Sequence, residues 1–199
     1  MKRIAFFLFL VSTLGYGQSV DQDERKLALD ILSQSYQVLE KSVNDLTPVE
    51  LNYNPEKGGW TVLNCLEHLA FVEKTLGAKI RKMISENKQD KRKDLSENDW
   101  LIIARVTDRT NKVTTPEPFR PQPEMKDKSK DFFLANIKKH RGELINLIKE
   151  TKVDLRHVFG PYLYGEADVT QQALVVGAHT YRHTMQIQEV LKELRENKQ

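Results

Sequence analysis

The chain has 199 residues, 39% of them hydrophobic and 30% charged, which suits one compact domain able to bury a core of its own. Its 31 basic and 28 acidic residues leave a formal charge of +3, too small an excess to support a role in holding phosphate backbones. Cys65 is the single cysteine, so no intramolecular disulfide can form and stability must come from packing, with a metal as the available supplement.

Lys2 and Arg3 precede the apolar run "IAFFLFLVSTLG", and small residues, Gly15 and Gly17, follow at positions that suit signal peptidase. The run is shorter than the roughly 20 apolar residues a membrane span requires. Residues 1–17 therefore read as a signal peptide and 18–199 as the mature domain, secreted or periplasmic and carrying no membrane anchor after cleavage. Loss of Lys2 and Arg3 lowers the formal charge from +3 to +1.

From Asp21 to Asn44, Leu27, Ile31, Leu32, Tyr36, Leu39 and Val43 recur at steps that include three and four residues, the pattern of an amphipathic helix. Pro48, Pro55, Gly58 and Gly59 punctuate the connection that follows. Thr61 is placed to cap a second long helix running to about Asn87, with Val62, Leu66, Leu69, Val72, Leu76, Ile80 and Met83 inward. Between Asn87 and Ser129 a charge run, a short apolar piece ("WLIIARV") and Pro116, Pro118, Pro121 and Pro123 predict a long crossover with one short helix in it. A crossover of that length lets the third long helix, Asp131–Glu150, run parallel to the second. A loop leads to the fourth, Val169–Arg195. No stretch alternates with period two for long enough to predict a strand. The fold class is thus all-α, four long helices with the crossover between the second and third.

Chemistry concentrates in "GAHTYRHTMQI". His179 and His183 are four residues apart, which on a helix puts their Cβ atoms about 6 Å apart on one face, suited to one ion. The same spacing is met by two polar residues beside Arg182 on a solvated face. The apolar neighbours Ala173, Val176, Ala178 and Ile187 argue for burial, which is costly to an imidazole without a partner. His68, amid Leu69, Val72 and Leu76 on the second helix, is available as a third ligand or as a core histidine bonded to a carbonyl. Gln186 shares the stripe of His179 and His183 and could orient a ligand or substrate from behind the ion. Cys65, three residues before His68, could approach the ion but is expected to be a buried, inert thiol. Glu67 is turned about 100° from His68 and is expected to be solvated. Tyr36 is expected to pack, His140 to face solvent, and His157 to lie at the mouth of the bundle; none is predicted to be a ligand.

"GGWTVLNCLEHL" and "GAHTYRHTMQI" resemble the tryptophan-to-histidine signature and the closing histidine pair of the DinB-like metal-binding four-helix bundles. "LTPVELNYNP" and "VTDRTNKVTTPEPFRP" are similar to connecting segments of that superfamily, so the likeness spans nearly all of 18–199. The resemblance implies an up-down-down-up bundle holding a divalent ion on His68, His179 and His183. Asn64 departs from the pattern, standing where the family often has an acidic residue closing the cap; with Cys65 and Gln186 it is a candidate for the surroundings of the ligands.

Three neutral imidazoles leave an ion's charge uncompensated and a position open, as in catalytic sites. Zinc and nickel both suit them. The functions implied are a metal-dependent enzyme, of hydrolase or thiol S-transferase type, or a non-catalytic bundle binding a metal or small ligand. The general base, the catalytic residues and the small-molecule substrate are unknown at this level, and the oligomeric state is open, a homodimer included.

Overall fold

The computed structural model describes residues 17–197 apart from 57, 111, 112 and 164. The expected signal peptide lies outside the described residues except for its last position. The four long helices are α1 (Gly17–Val43), α3 (Val62–Glu86), α5 (Lys130–Glu150) and α6 (Val169–Glu196), with two shorter ones, α2 (Pro48–Asn52) and α4 (Asp99–Thr107). α2 starts at a capping box formed by Thr47 and Glu50 within the segment predicted as a plain connection. The helix ends obey local chemistry. α3 is capped by Thr61 and stops at Asn87, which adopts the left-handed conformation (φ 45°). α6 opens on Asp168 and Gln171, again a reciprocal capping box.

Besides α2, a hairpin was not predicted. β1 (Phe159–Tyr162) and β2 (Gly165–Asp168) form an antiparallel hairpin in register Phe159 to Asp168. Four residues per strand, with Gly160, Pro161 and Gly165 among them, are too few for a period-two signal to emerge. The protein is otherwise a helical bundle.

In the bundle α1 packs on α6 and α5, and α3 packs on the same two helices. Helix directions follow from side chains that reach across. Arg25 near the start of α1 donates to the carbonyls of Ile148, Thr151 and Val153 at the end of α5, while Lys130 at the start of α5 donates to the carbonyl of Val43 at the end of α1 (3.2 Å). These two helices are antiparallel. α3 and α5 run the same way, since Glu73 meets Arg141 and Arg81 meets Glu143 further along both. Apolar residues form two clusters, one around Leu32, Ile80, Ile148 and Leu174 and one around Leu39, Leu66, Ile137 and Ile187. Gly177 lets α1 and α6 close on each other, because a Cβ there would stand 3.1 Å from the backbone of Ile31.

Between the clusters sits Arg141, only 2% exposed. Its guanidinium pairs with both carboxylate oxygens of Glu73 on α3, donates to Ser35 Oγ (2.8 Å) and the Leu32 carbonyl on α1, and donates to Thr180 Oγ1 on α6 (2.8 Å). One side chain thereby ties all four long helices at mid-bundle. A second buried cation, Arg156, bonds Asp99 on α4 (2.6 Å) and the α6 cap Asp168 (3.2 Å), fixing α4 against the start of α6.

Removing one partner of a buried ion pair costs about 3–5 kcal/mol, because the other charge is stranded. Arg141→Met is expected to lower unfolding free energy by about that much in urea titrations, and the double variant with Glu73→Leu to be more stable than Arg141→Met alone. Additive losses in the double variant would contradict the pairing.

Candidate metal centre

α3 contributes His68, and α6 contributes His179 and His183, near the middle of the bundle. The Nε2 atom of His179 lies 3.2 Å from Nε2 of His68 and 3.2 Å from Nε2 of His183. His68 is 4% and His183 6% exposed. Two ligands at 2.0–2.1 Å from one ion in tetrahedral array stand roughly 3.3 Å apart, so this spacing fits a shared divalent ion.

The proton inventory points the same way. His68 Nδ1 lies 2.6 Å from the Phe119 carbonyl, an acceptor, so the proton is on Nδ1 and the Nε2 lone pair faces the other imidazoles. Nδ1 of His179 and of His183 are buried without a hydrogen-bond partner. Each neutral ring must carry its proton either on that orphaned nitrogen or into the crowded Nε2 junction, where His68 can accept only one. No hydrogen-bonding scheme among these three rings satisfies them all, whereas one ion uses all three Nε2 lone pairs.

Burial also keeps the rings neutral. Desolvation pulls His179 from 6.5 down to about 3, helped by the charges of Arg182 and Arg141. His183 is held well below the ordinary value by burial first, and His68 is lowered by burial against the opposing pull of the Phe119 carbonyl. Neutral imidazole is the form that ligates a metal.

The surroundings are built by segments that flank the helices. Gly58 and Gly59 take φ of 72° and 132°, values that side-chain-bearing residues rarely adopt, and the turn delivers Trp60 onto the site. Its ring lies 4.8 Å from the ring of His68 and stacks on His183 at 5.9 Å. On the crossover, Pro116, Pro118 and Pro121 keep residues 116–121 out of α-helix, leaving the Phe119 carbonyl free for His68. Next to it Gln122 N donates to Glu67 Oε1 (2.5 Å). Glu67 is thus buried, not solvated as its helical position suggested, and burial raises its pKa. Adjacent residues of α3 grip the crossover at two points.

The crossover's other end is held by α6. Arg109 makes a two-point ion pair with Glu189 and approaches Gln186 Oε1 (3.4 Å), and Arg182 donates to the carbonyls of Val106 (3.4 Å) and Asp108. Arg182 is therefore a structural clamp on a face that the sequence left to solvent. Gln186 lines the same cavity as the histidines. Asn64 completes the cap of α3, its Oδ1 accepting from Thr61 N (3.2 Å) and its N–H donating to Thr61 Oγ1 (3.1 Å), so an amide does the work of the acidic residue usual in the family. Cys65 lies fully buried in the core, where desolvation pushes its thiol up to about 12. Tyr36 donates to Glu40 (2.8 Å), His140 lies half-buried against Glu143 (3.2 Å) and His157 pairs with Asp154 (2.7 Å); none joins the cluster. Trp60, the Phe119 carbonyl and Arg109 are the parts that sequence reasoning did not assign. The Trp60 position was signalled by the two glycines before it; the other two depend on the path of the crossover.

The three imidazoles open onto a cavity of about 1180 Å³ bounded by α3, α6, the crossover, the Trp60 turn and the hairpin. Three convergent histidines that could hold a metal ion, His68 and His183 buried and His179 half-buried, stand together at one wall of this cavity in a helical bundle. The sequence model of the DinB superfamily matches residues 31–187, and the chain belongs to that superfamily. The resemblance carried by the tryptophan and histidine motifs is thereby borne out. No curated protein sequence matches the chain. Among solved structures it is similar to YfiT from Bacillus subtilis, described as a probable metal-dependent hydrolase with an unusual four-helix bundle topology, at 14% identity, with 91% of this chain and 93% of that one covered and a TM-score of 0.58. That likeness is one of fold.

The depressed histidines have a measurable consequence in metal-free protein. Between pH 6.5 and about 3 the unfolded chain binds protons that folded His179 refuses, so stability falls as pH drops through that window. Urea unfolding of chelated protein is expected to show a shallower loss in His179→Ala than in wild type, by up to about 1.4 kcal/mol per pH unit. Identical slopes would show that His179 titrates normally.

Proposed function

We propose that this protein is a metal-dependent hydrolase that holds a zinc or nickel ion on His68, His179 and His183. The observation that carries the reading is the cluster of three imidazoles whose ligand atoms lie within 4.8 Å of one another, facing a cavity large enough for a small molecule. When bound, a divalent ion there supplies Lewis acidity, polarising a carbonyl or phosphoryl oxygen and making water nucleophilic near neutral pH. The chain's own residues do the rest. Phe119 fixes the tautomer and ring plane of His68 through its carbonyl, and Trp60 packs on the His68 and His183 rings at the cavity wall. Gln186, held by Arg109, presents an amide toward the same space.

Hydrolysis is preferred over thiol S-transfer because the basic start and apolar run of residues 1–17 support export to the periplasm or medium, where cytosolic thiol cofactors are scarce. The buried Cys65, whose thiol burial keeps protonated, supplies no nucleophile of its own. The description of YfiT as a probable metal-dependent hydrolase is consistent with this choice.

Untagged protein, with its mature N-terminus expected at Gln18, should carry about one equivalent of divalent ion, falling below about a tenth in His68→Ala. Carboxylic or phosphate ester hydrolysis should depend on that ion and drop at least about 100-fold in the same variant. Metal-dependent conjugation of an electrophile to a thiol without ester hydrolysis would replace the hydrolase by an S-transferase. Bound metal with neither activity would leave a binding protein, and absence of metal would overturn the reading altogether.

A further inference from the structure

The cavity has a second polar end. On α3, Lys79 lies eleven residues beyond His68, three turns on and roughly 16 Å along the axis, back on almost the same face. On α6, Gln172 precedes His179 by seven residues, two turns or roughly 10 Å. Both line the cavity, and between them and the histidines the walls are apolar, made by Val72, Leu76 and Val175.

Lys79 Nζ donates to the Pro161 carbonyl on β1 and to Gln172 Oε1 (3.2 Å). Gln172, 3% exposed, donates through Nε2 to the same Pro161 carbonyl (3.0 Å). Two donors thus converge on one neutral oxygen at the cavity wall. Among the described residues no carboxylate stands within ion-pair distance of Lys79, although two other cations of the cavity, Arg109 and Arg120, are paired with Glu189 and Glu117. The half-buried ammonium pays part of its desolvation with only neutral partners, and burial lowers its pKa accordingly. The lining as a whole is cationic, with Lys79, Arg105, Arg109, Arg120 and Arg182 set against Asp108, Glu189 and Glu193. Three neutral imidazoles would add an ion's full charge to that excess.

We propose that the substrate is an elongated amphipathic carboxylate, its labile group at the three histidines, its apolar body along Val72, Leu76 and Val175, and its carboxylate received by Lys79 Nζ and Gln172 Nε2. The carboxylate replaces the Pro161 carbonyl as the common acceptor of those two donors, and its charge offsets that of the ammonium. The span between the ends, roughly 10–16 Å, corresponds to an extended chain of about eight to thirteen bonds at about 1.2 Å per bond. This inference rests on the metal-site reading for the end of the molecule that reacts.

The probes are two hydroxamates of equal length: suberic acid monohydroxamate, with a distal carboxylate, and octanohydroxamate, with a distal methyl group. Each is titrated calorimetrically into zinc-loaded full-length mature protein. Wild type is expected to bind the carboxylate probe at least about tenfold more tightly, a preference of about 1.4 kcal/mol. Lys79→Met should abolish the preference while changing octanohydroxamate affinity less than about twofold, and Lys79→Arg should retain most of it. Equal affinities in wild type, or a preference that survives Lys79→Met, would overturn the assignment. If neither probe binds although one equivalent of zinc is retained, the substrate assignment fails and the metal centre stands; if zinc is not retained either, both fail.

Discussion

Everything near the candidate centre depends on the buried guanidinium of Arg141. A cation inside a bundle is expensive to desolvate, and this one is tolerated because Glu73 matches its charge while Ser35, Thr180 and the Leu32 carbonyl satisfy its remaining donors. The geometric consequence outweighs the energetic one. Glu73 lies five residues beyond His68 on α3, and Thr180 directly follows His179 on α6. Pinning those two residues to one planar group fixes the axial register of α3 against α6, and with it the distance between His68 and the α6 pair. A slide by one residue would shift an imidazole by about 1.5 Å, enough to spoil a 3.2 Å junction.

The crossover supplies what the bundle alone lacks. Helices present side chains to one another but offer few free carbonyls, since the ladder consumes them. A proline-rich segment has spare carbonyls, and Phe119 uses one to orient His68 while Glu67 anchors Gln122 beside it. The opposite end is held to α6 by Arg182 and by the Arg109–Glu189 pair. A long, irregular connection is thereby part of the candidate centre, and the crossover and the hairpin wall the cavity together with α3 and α6.

Much of this was legible in the sequence. The long helices emerged from apolar spacing, with Thr61 and Asn87 marking the ends of α3. His179 and His183 were placed on one face by a four-residue step, and His68, open between ligand and core histidine on the second helix, was implied as the third ligand by the resemblance. What stayed hidden has a common physical cause. Glu67 looked solvated because helical phase alone cannot reveal that a distant loop folds back over it. Arg141 shares the helical stripe of Phe133, Ile137, Leu144 and Ile148, but its charge, next to Lys138, Lys139 and His140, masked that phase, and its role depends on three other helices at once. The hairpin was too short to alternate. Lys79 reads as an ordinary helix-surface lysine until the hairpin puts Pro161 in front of it.

Whether three imidazoles share one ion is read directly by X-ray absorption at the metal edge. Three imidazole nitrogens at about 2.0–2.1 Å are expected in wild-type protein loaded with one equivalent of zinc, and two in His68→Ala at whatever occupancy remains. A wild-type spectrum with fewer than three imidazoles, or one with sulfur from Cys65 in the coordination sphere, would contradict the shared site.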